Sequence, residues 1–400
     1  MKKIKGGVTS PKGFLAAAVS CGIKRRGKSD LALLYSETPC VCIATFTTNK
    51  VRSGSVVLSE KYLKNSAAQA VVVNSGNANC CVGKKEIEDA LSITGATARK
   101  LGLKKQDVLI CSTGIIGKPL PVNKIRVKIG ALAEDLSRNG GTKFSKAIMT
   151  TDTVHKEAGA AVKIGSKTVR IGSAVKGAGM ICPNMATMLA FFTTDAAIEK
   201  GALKLAFKEA VGESFNKITV DGDMSTNDSA IIFANGMARN ATIKKGSAGY
   251  SKFLNALKSV AAELARKMIL DGEGATRFVE ITVKGARKEK GADMVARHVA
   301  DSSLVKTMIA GGDPNWGRVA ASAGSSGVDI KQNKLNIYFG KILVMKNGAA
   351  TNVSKKTLAG IFKKKEIFIT IDLGQGKASS EIWTCDLTKE YVMINAAYET

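Results

Sequence analysis

The sequence predicts a layered α/β protein, on three observations. Strand-like and helical runs alternate along the chain. The strand runs are short, rich in apolar and β-branched residues, and bounded by Gly, Asn and Ser. The helical runs repeat their apolar residues at 3.6-residue spacing. Ala70-Val-Val-Val73 reads as a strand that stops at Asn74-Ser75-Gly76. Glu86 to Leu101 reads as a helix closed by Gly102, because a glycine just past the last periodic residue ends a helix well. Val108-Leu-Ile110 is a short strand running into the small-residue turn Cys111-Ser-Thr-Gly114, and Met188 to Phe192 is a buried strand entered through a Gly/Pro-rich loop. Asp195 is placed to cap a helix carrying Leu203, Phe207, Ala210 and Val211 on one face and ended by Gly212. Ser251 caps the clearest helix, where Leu254, Leu257, Ala261, Leu264 and Met268 recur until Asp271-Gly272. Strands follow at 278–283, 335–339 and 367–371.

A chain of 400 residues has room for two domains or lobes, each with its own core. With 45% hydrophobic and 23% charged residues, its composition is that of an ordinary globular protein. Aromatics are only 5% and glycines number 40, so small residues do much of the packing. The formal charge of +27 raises the question of nucleic acid or an anionic membrane. The cations are scattered, however, and the longest clusters are Lys24-Arg25-Arg26 and Lys363-Lys364-Lys365. Neither is interleaved with stacking aromatics, so the charge reads as a solvated basic surface that steers small anions.

The eight cysteines form no Cys-x-x-Cys pair, and there are only two histidines, His155 and His298. No metal site is expected, and free buried thiols in a reducing compartment are. Met1-Lys-Lys-Ile-Lys-Gly-Gly7 has no apolar core of signal-peptide length, and no apolar run reaches the roughly 18 residues that span a bilayer. A cytoplasmic protein without membrane contact is the expectation.

Gly22-Ile-Lys-Arg-Arg-Gly-Lys-Ser29 matches the phosphate-loop pattern G-x-x-x-x-G-K-S. A working loop needs a strand before it and a helix after it, and three basic side chains crowd its backbone nest. It reads instead as a basic surface hairpin. A serine-hydrolase triad fails too, since there is no G-x-S-x-G elbow. His155 follows Thr150-Thr-Asp-Thr153 but is assigned no catalytic role. The turn Cys111-Ser-Thr-Gly114 is able to aim hydrogen-bond donors at an oxyanion, where acyl transfer builds charge. Asn74 to Asn79, Asp221-Gly-Asp223 and Asn227-Asp228 are polar turns read as scaffold near a site.

The most informative residue is Thr187, set between Lys176-Gly-Ala-Gly-Met-Ile-Cys-Pro-Asn-Met-Ala186 and an apolar run. A threonine hydroxyl is a poor nucleophile at neutral pH. A cut before Thr187 sets a free α-amine beside it, with an ordinary pKa of about 7.7–8.0, and that amine acts as its base. Position alone does not choose Thr187 from the other threonines.

The motifs do. Gly7-Val-Thr-Ser-Pro-Lys-Gly-Phe14, Val73-Asn-Ser-Gly-Asn-Ala-Asn79, Cys111-Ser-Thr-Gly-Ile-Ile-Gly117, Met149-Thr-Thr-Asp-Thr153, Val220 to Asp228, Gly272-Glu-Gly-Ala-Thr276, Gly312 to Arg318 and Asn395-Ala-Ala-Tyr-Glu-Thr400 occur in this order. Together they resemble the ornithine acetyltransferase family, the bifunctional glutamate N-acetyltransferases of arginine biosynthesis. The resemblance implies an α/β sandwich cut between Ala186 and Thr187 into an α chain, 1–186, and a β chain, 187–400, assembled as two α and two β. It implies Thr187 as nucleophile, Thr113 and Gly114 as oxyanion hole, and Thr150, Lys176, Thr187, Glu273, Asn395 and Thr400 as substrate-binding. The implied reaction moves acetyl from N-acetylornithine to glutamate through an acetyl-threonine ester, without a cofactor and with acetyl-CoA as a second donor in some members. His155 stands where the family usually has proline. Self-processing amidohydrolases or aminopeptidases are the nearer alternative reading, and a basic nucleic-acid-binding protein the more distant one.

Overall fold

The apolar runs read from the sequence pair into two sheets. The structure is a computed structural model and describes residues 1–182 and 188–397. Ala186, Thr187 and Thr400 therefore lie outside the described residues. The first sheet is built from β1 (Lys2–Lys3), β2 (Phe14–Val19), β3 (Leu31–Phe46), β4 (Ala67–Asn77), β5 (Val108–Ile115), β6 (Lys156–Ile164), β7 (Lys167–Lys176), β8 (Leu189–Thr194) and β9 (Ser229–Ala234). Its order is β1-β6-β7-β8-β9-β3-β4-β5, with β2 also paired to β3. The second is built from β10 (Phe278–Ala286), β11 (Asn336–Phe339), β12 (Ile342–Lys346), β13 (Ala349–Ala350), β14 (Glu366–Asp372) and β15 (Ala378–Cys385), in the order β13-β12-β11-β14-β10-β15. The helices are α1 (Gly54–Tyr62), α2 (Lys85–Leu101), α3 (Val122–Glu134), α4 (Gly141–Ala147), α5 (Lys200–Gly212), α6 (Ala248–Leu270), α7 (Glu289–Asp301), α8 (Ser303–Gly311), α9 (Trp316–Gly324), α10 (Lys355–Phe362) and α11 (Lys389–Ala396).

β3 organises the first sheet. Leu31 to Tyr35 lie between β2 and β4, whereas Val41 to Phe46 pair with β9. The register on β4 shifts between Tyr35 and Cys40, the stretch that holds Pro39, which has no N–H for the ladder. The two halves of the sheet close on one core, where Leu34, Val71, Val73 and Leu109 meet Leu189, Phe191, Ile231 and Phe233. Phe144 of α4 stacks edge-on to Phe191 there, with ring centroids 5.2 Å apart.

Side-chain alternation sends the next residues outward. Ala190, Phe192 and Ile232 pack under Phe207 of α5 and Leu257 and Leu264 of α6. Leu31, Leu33, Val72 and Ile110 pack under Ile93 of α2 and Ile125 and Ile129 of α3. The layers are thus helix, sheet, sheet, helix. The second sheet has its own core, in which Ile281, Ile337, Ile369 and Ile371 pack against Val295 and Val299 of α7. The expected α/β sandwich and the expected second core are both present.

Several local expectations need correction. β4 does not stop at Asn74 but runs to Asn77, because Asn74, Ser75 and Gly76 pair with Ser112, Thr113 and Gly114 of β5. α5 begins at Lys200 behind Glu199. Asp195 instead lies buried and accepts the backbone N–H groups of Lys12 and Arg170. α6 is capped by Ser247, whose side chain accepts from Tyr250 N, and Ser251 lies inside it. Cys81 is exposed, although the eight cysteines are free. No helix among the described residues is long and apolar enough to cross a membrane.

Candidate active site

Segments far apart in the chain meet at one cavity of about 290 Å³. Thr113, Gly114, Thr150, Lys176, Glu273 and Asn395 all line it. They come from six places: two positions on β5, the loop after α4, the end of β7, the loop after α6, and α11. Every described residue expected at the site is therefore brought together.

Local structure explains each position. Gly114 has φ +130, and a Cβ there would collide with the backbone of Gly76 and Asn77. Only glycine lets β5 approach β4 so closely. Asn74 and Ser55 bracket Ser112, each 2.6 Å from its Oγ. Asn227 Nδ2 donates to Ala78 O at 2.7 Å and to Ser112 O at 2.8 Å, so the polar turns read as scaffold do tie β4, β5 and the 225–228 loop together.

Lys176 is 4% exposed, and its Nζ donates to Thr113 Oγ1 at 3.2 Å. Burial lowers its pKa from the ordinary lysine value; Asp152, Asp228 and Glu273 oppose that shift, and Lys156 adds to it. Glu273 is held at its backbone by Ala178 O and at Oε2 by Asn395 Nδ2, 2.8 Å away. Gly179 lies against it, and a Cβ at Gly179 would strike the Glu273 carboxylate.

Sequence reasoning passed over a buried cluster behind this wall. Asp152 Oδ1 accepts from Lys156 Nζ at 2.6 Å and from Gly177 N at 2.8 Å, and its Oδ2 accepts from Thr150 N at 3.0 Å. Lys156 Nζ also reaches Asp271 Oδ2 at 2.5 Å. Burial pushes the Asp152 carboxyl up, but Lys156, Lys176 and the Gly177 N–H more than offset it and bring its pKa down to about 2. The signal was the motif Met149-Thr-Thr-Asp-Thr153, from which only Thr150 was drawn.

β8 starts at the edge of this cavity. Leu189 pairs with Lys176, and Met188 N donates to Asp228 Oδ1 at 2.9 Å. Asp228 is fully buried, and burial raises its carboxyl pKa well above the usual range against the pull of Met188 N and Lys176. Asp221 does not join it in a cation site. It accepts Met180 N at 2.6 Å and Ile181 N at 2.9 Å, which fixes the backbone after Lys176. Among the described residues no group of three or more His, Cys, Asp or Glu is arranged to hold a metal.

A larger cavity of about 890 Å³ adjoins the first and shares Thr150 and Thr151 with it. Its wall is basic, with Lys24, Arg25, Lys28 and Lys146, and His155 lies on it, exposed. The Gly22–Ser29 segment supplies much of that wall. It holds a short 3-10 turn at Arg25–Gly27 and passes into β3 with no helix after it, so it is no phosphate loop. Asp30 accepts the backbone N–H groups of Ile23 and Lys24 in it and that of Cys21 just before it.

Known proteins share this chain from end to end. The sequence matches the ArgJ family over residues 15–400. It is 45% identical over 404 residues to the arginine biosynthesis bifunctional protein ArgJ of Caldanaerobacter subterraneus subsp. tengcongensis, covering 100% of both chains. It is 46% identical over 398 residues to the protein of that name from Dehalococcoides mccartyi, covering 99% of this chain and 98% of the other. A crystal structure of arginine biosynthesis bifunctional protein ArgJ from Bacillus halodurans superposes with a TM-score of 0.50 at 40% identity, covering 52% of this chain and 98% of that one. The chain belongs to the ArgJ family and is an acyltransferase of arginine biosynthesis.

Proposed function

We propose that the chain transfers acetyl from N2-acetylornithine to glutamate by a two-step exchange on Thr187, freed as an N-terminus by self-cleavage after Ala186. The observation that carries this reading is the convergence of Thr113, Gly114, Thr150, Lys176, Glu273 and Asn395 on one small cavity at the start of β8. That wall offers a cation, an anion and uncharged donors to a ligand that is itself an amino acid.

In this reading Thr187 Oγ first attacks the Ala186 carbonyl. The acyl group shifts from N to O, which frees the Thr187 amine, and water then hydrolyses the ester, releasing the Thr187 hydroxyl and leaving Ala186 as a carboxylate. Thr187 Oγ then attacks the acetyl carbonyl of the donor, its proton passing to that amine. Thr113 and the backbone at Gly114 stabilise the oxyanion, an interaction that typically carries about 10²–10³ in rate per donor. Collapse of the intermediate expels ornithine, to which the proton passes. Glutamate enters and its amine takes the acetyl from the ester. Glu273, steadied by Asn395, receives the ammonium end of the ligand, while Thr150 and Lys176 line the same cavity; Thr400 is assigned a substrate-binding role from its motif alone.

The α piece, 1–186, and the β piece, 187–400, remain one body, because β7 pairs with β8 and β3 with β9 across the cut. Two copies of this pair form the assembly. The Bacillus halodurans chain pairs almost all of itself with about half of this one, as a product of such a cut does. The basic cavity next door suits a phosphate-bearing second donor, acetyl-CoA.

Steady-state kinetics test the exchange. Parallel double-reciprocal lines for acetylornithine and glutamate are expected, and intersecting lines overturn it. Acetylglutamate formed from acetyl-CoA alone supports the second donor. Preferential loss of acetyl to water, over glutamate, favours the amidohydrolase reading instead.

A further inference from the structure

Lys176 is the cation of the small cavity, yet its ammonium is turned to a hydroxyl. Among the described residues its Nζ has one hydrogen-bond partner, Thr113 Oγ1 at 3.2 Å, and makes no ion pair. An ammonium donates three hydrogens and accepts none. Thr113 Oγ1 must therefore be the acceptor, which leaves the Thr113 hydroxyl hydrogen for a different partner. Thr113 stands next to Gly114 on the cavity wall, where the acyl oxygen would sit. A hydroxyl whose oxygen already accepts from a cation is polarised and donates more strongly.

The lysine is in turn held from behind. Asp152 takes the N–H of Gly177, the residue after Lys176, and the N–H of Thr150, on a second side of the cavity. Lys156 locks Asp152 to Asp271, both carboxylates lying on one buried ammonium.

We propose that Lys176 is a positioning residue of the oxyanion site, aiming and polarising the Thr113 hydroxyl toward the acyl oxygen, with Asp152 as the anion that keeps it in place and charged. This deepens the acyl-transfer reading and rests on it. The charged groups that bear on Lys176 are Asp152, Asp228 and Glu273, which favour its ammonium, and Lys156 and Lys24, which disfavour it. Asp152 stays ionised down to a pH of about 2, so an anion faces Lys176 at every working pH.

A double-mutant cycle on the full chain tests this, with Lys176→Met, Thr113→Val and the pair, assayed for acetyl transfer from acetylornithine to glutamate. Each single change is expected to lower kcat about 10²-fold, with KM moving less than about threefold and the pair no worse than either alone. A Lys176→Met enzyme whose KM for both amino acids rises while kcat holds overturns the proposal, as does a pair whose losses multiply. Either result makes Lys176 an anchor for the substrate carboxylate.

Two further variants keep the test open should Lys176→Met fail to fold. Lys176→Arg keeps the charge but displaces the donor, and the expected defect is again in kcat alone. Asp152→Asn removes the facing anion, so the alkaline limb of the kcat profile is expected at lower pH than in the parent. A limb that stays put overturns the part assigned to Asp152. A parent enzyme that transfers no acetyl defeats the acyl-transfer reading itself, a separate outcome from an unexpected pattern among active variants.

Discussion

Asn395 Nδ2 donates to Glu273 Oε2 at 2.8 Å, so a helix near the end of the chain steadies a carboxylate that comes from the loop after α6. One turn earlier, the Tyr391 hydroxyl donates to Asp221 Oδ2 at 3.2 Å. α11 buries none of its residues, so such polar contacts hold it at the site. A hydrogen bond to a charged group is worth about 1.5–3 kcal/mol. Asn395→Ala is expected to raise KM for acetylornithine on the order of 10-fold or more, with the unfolding midpoint little changed. Steady-state kinetics beside a thermal melt check this.

Cleavage gives a sharper outcome. The purified protein is expected to run as two fragments, the second beginning at Thr187. Thr187→Ala is expected to run as one intact chain without transferase activity. Denaturing electrophoresis and N-terminal sequencing read both, and active enzyme with Met1 as its sole terminus would falsify the mechanism.

Two glycines separate stability from activity. At Gly114 a Cβ meets backbone, with φ at +130, and nothing there is free to turn aside. Gly114→Ala is expected to cost about 2–4 kcal/mol and to lower the denaturation midpoint. At Gly179 the added carbon meets only the end of the Glu273 side chain, which is able to rotate away. Gly179→Ala is expected to stay within about 1 kcal/mol of the parent in stability while losing roughly 10-fold or more in activity. Equal stability losses at the two positions would contradict this contrast.

Asp152 links the site to acid stability. Its folded pKa, about 2, lies below the ordinary aspartate value of 3.8. The folded state therefore holds its proton less tightly than the unfolded state. The contribution is fully present above the unfolded value and is lost as pH falls through about 4 to 2. Its size is on the order of 2 kcal/mol. Denaturant titrations at stepped pH are expected to show a limb there that is missing in Asp152→Asn.

Much of the fold was legible because periodicity and terminators are local. Gly102 ends α2 in the left-handed conformation, as a glycine there should. Leu257, Ala261, Leu264 and Met268 face the core from α6. The errors share a cause. Asp195 has the chemistry of a cap, but its carboxylate serves Lys12 and Arg170, whose backbones only the sheet brings near. Asn74-Ser75-Gly76 has the composition of a turn, yet a parallel neighbour supplied pairing partners and drew it into β4.

The order of motifs from Gly7 to Asn395 was enough to name the family and the residue types of the site, because those depend on side-chain identity alone. The tertiary structure decided which of them touch. That Lys176 faces Thr113, that Asn395 steadies Glu273, and that Asp152 lies behind both Thr150 and Gly177 are contacts between segments from 2 to 122 residues apart. The longer of them are set by how β3 bends and how the two halves of the sheet close on a shared core. No local pattern encodes such closure, since it comes from the burial of Phe144, Phe191 and Phe233 together.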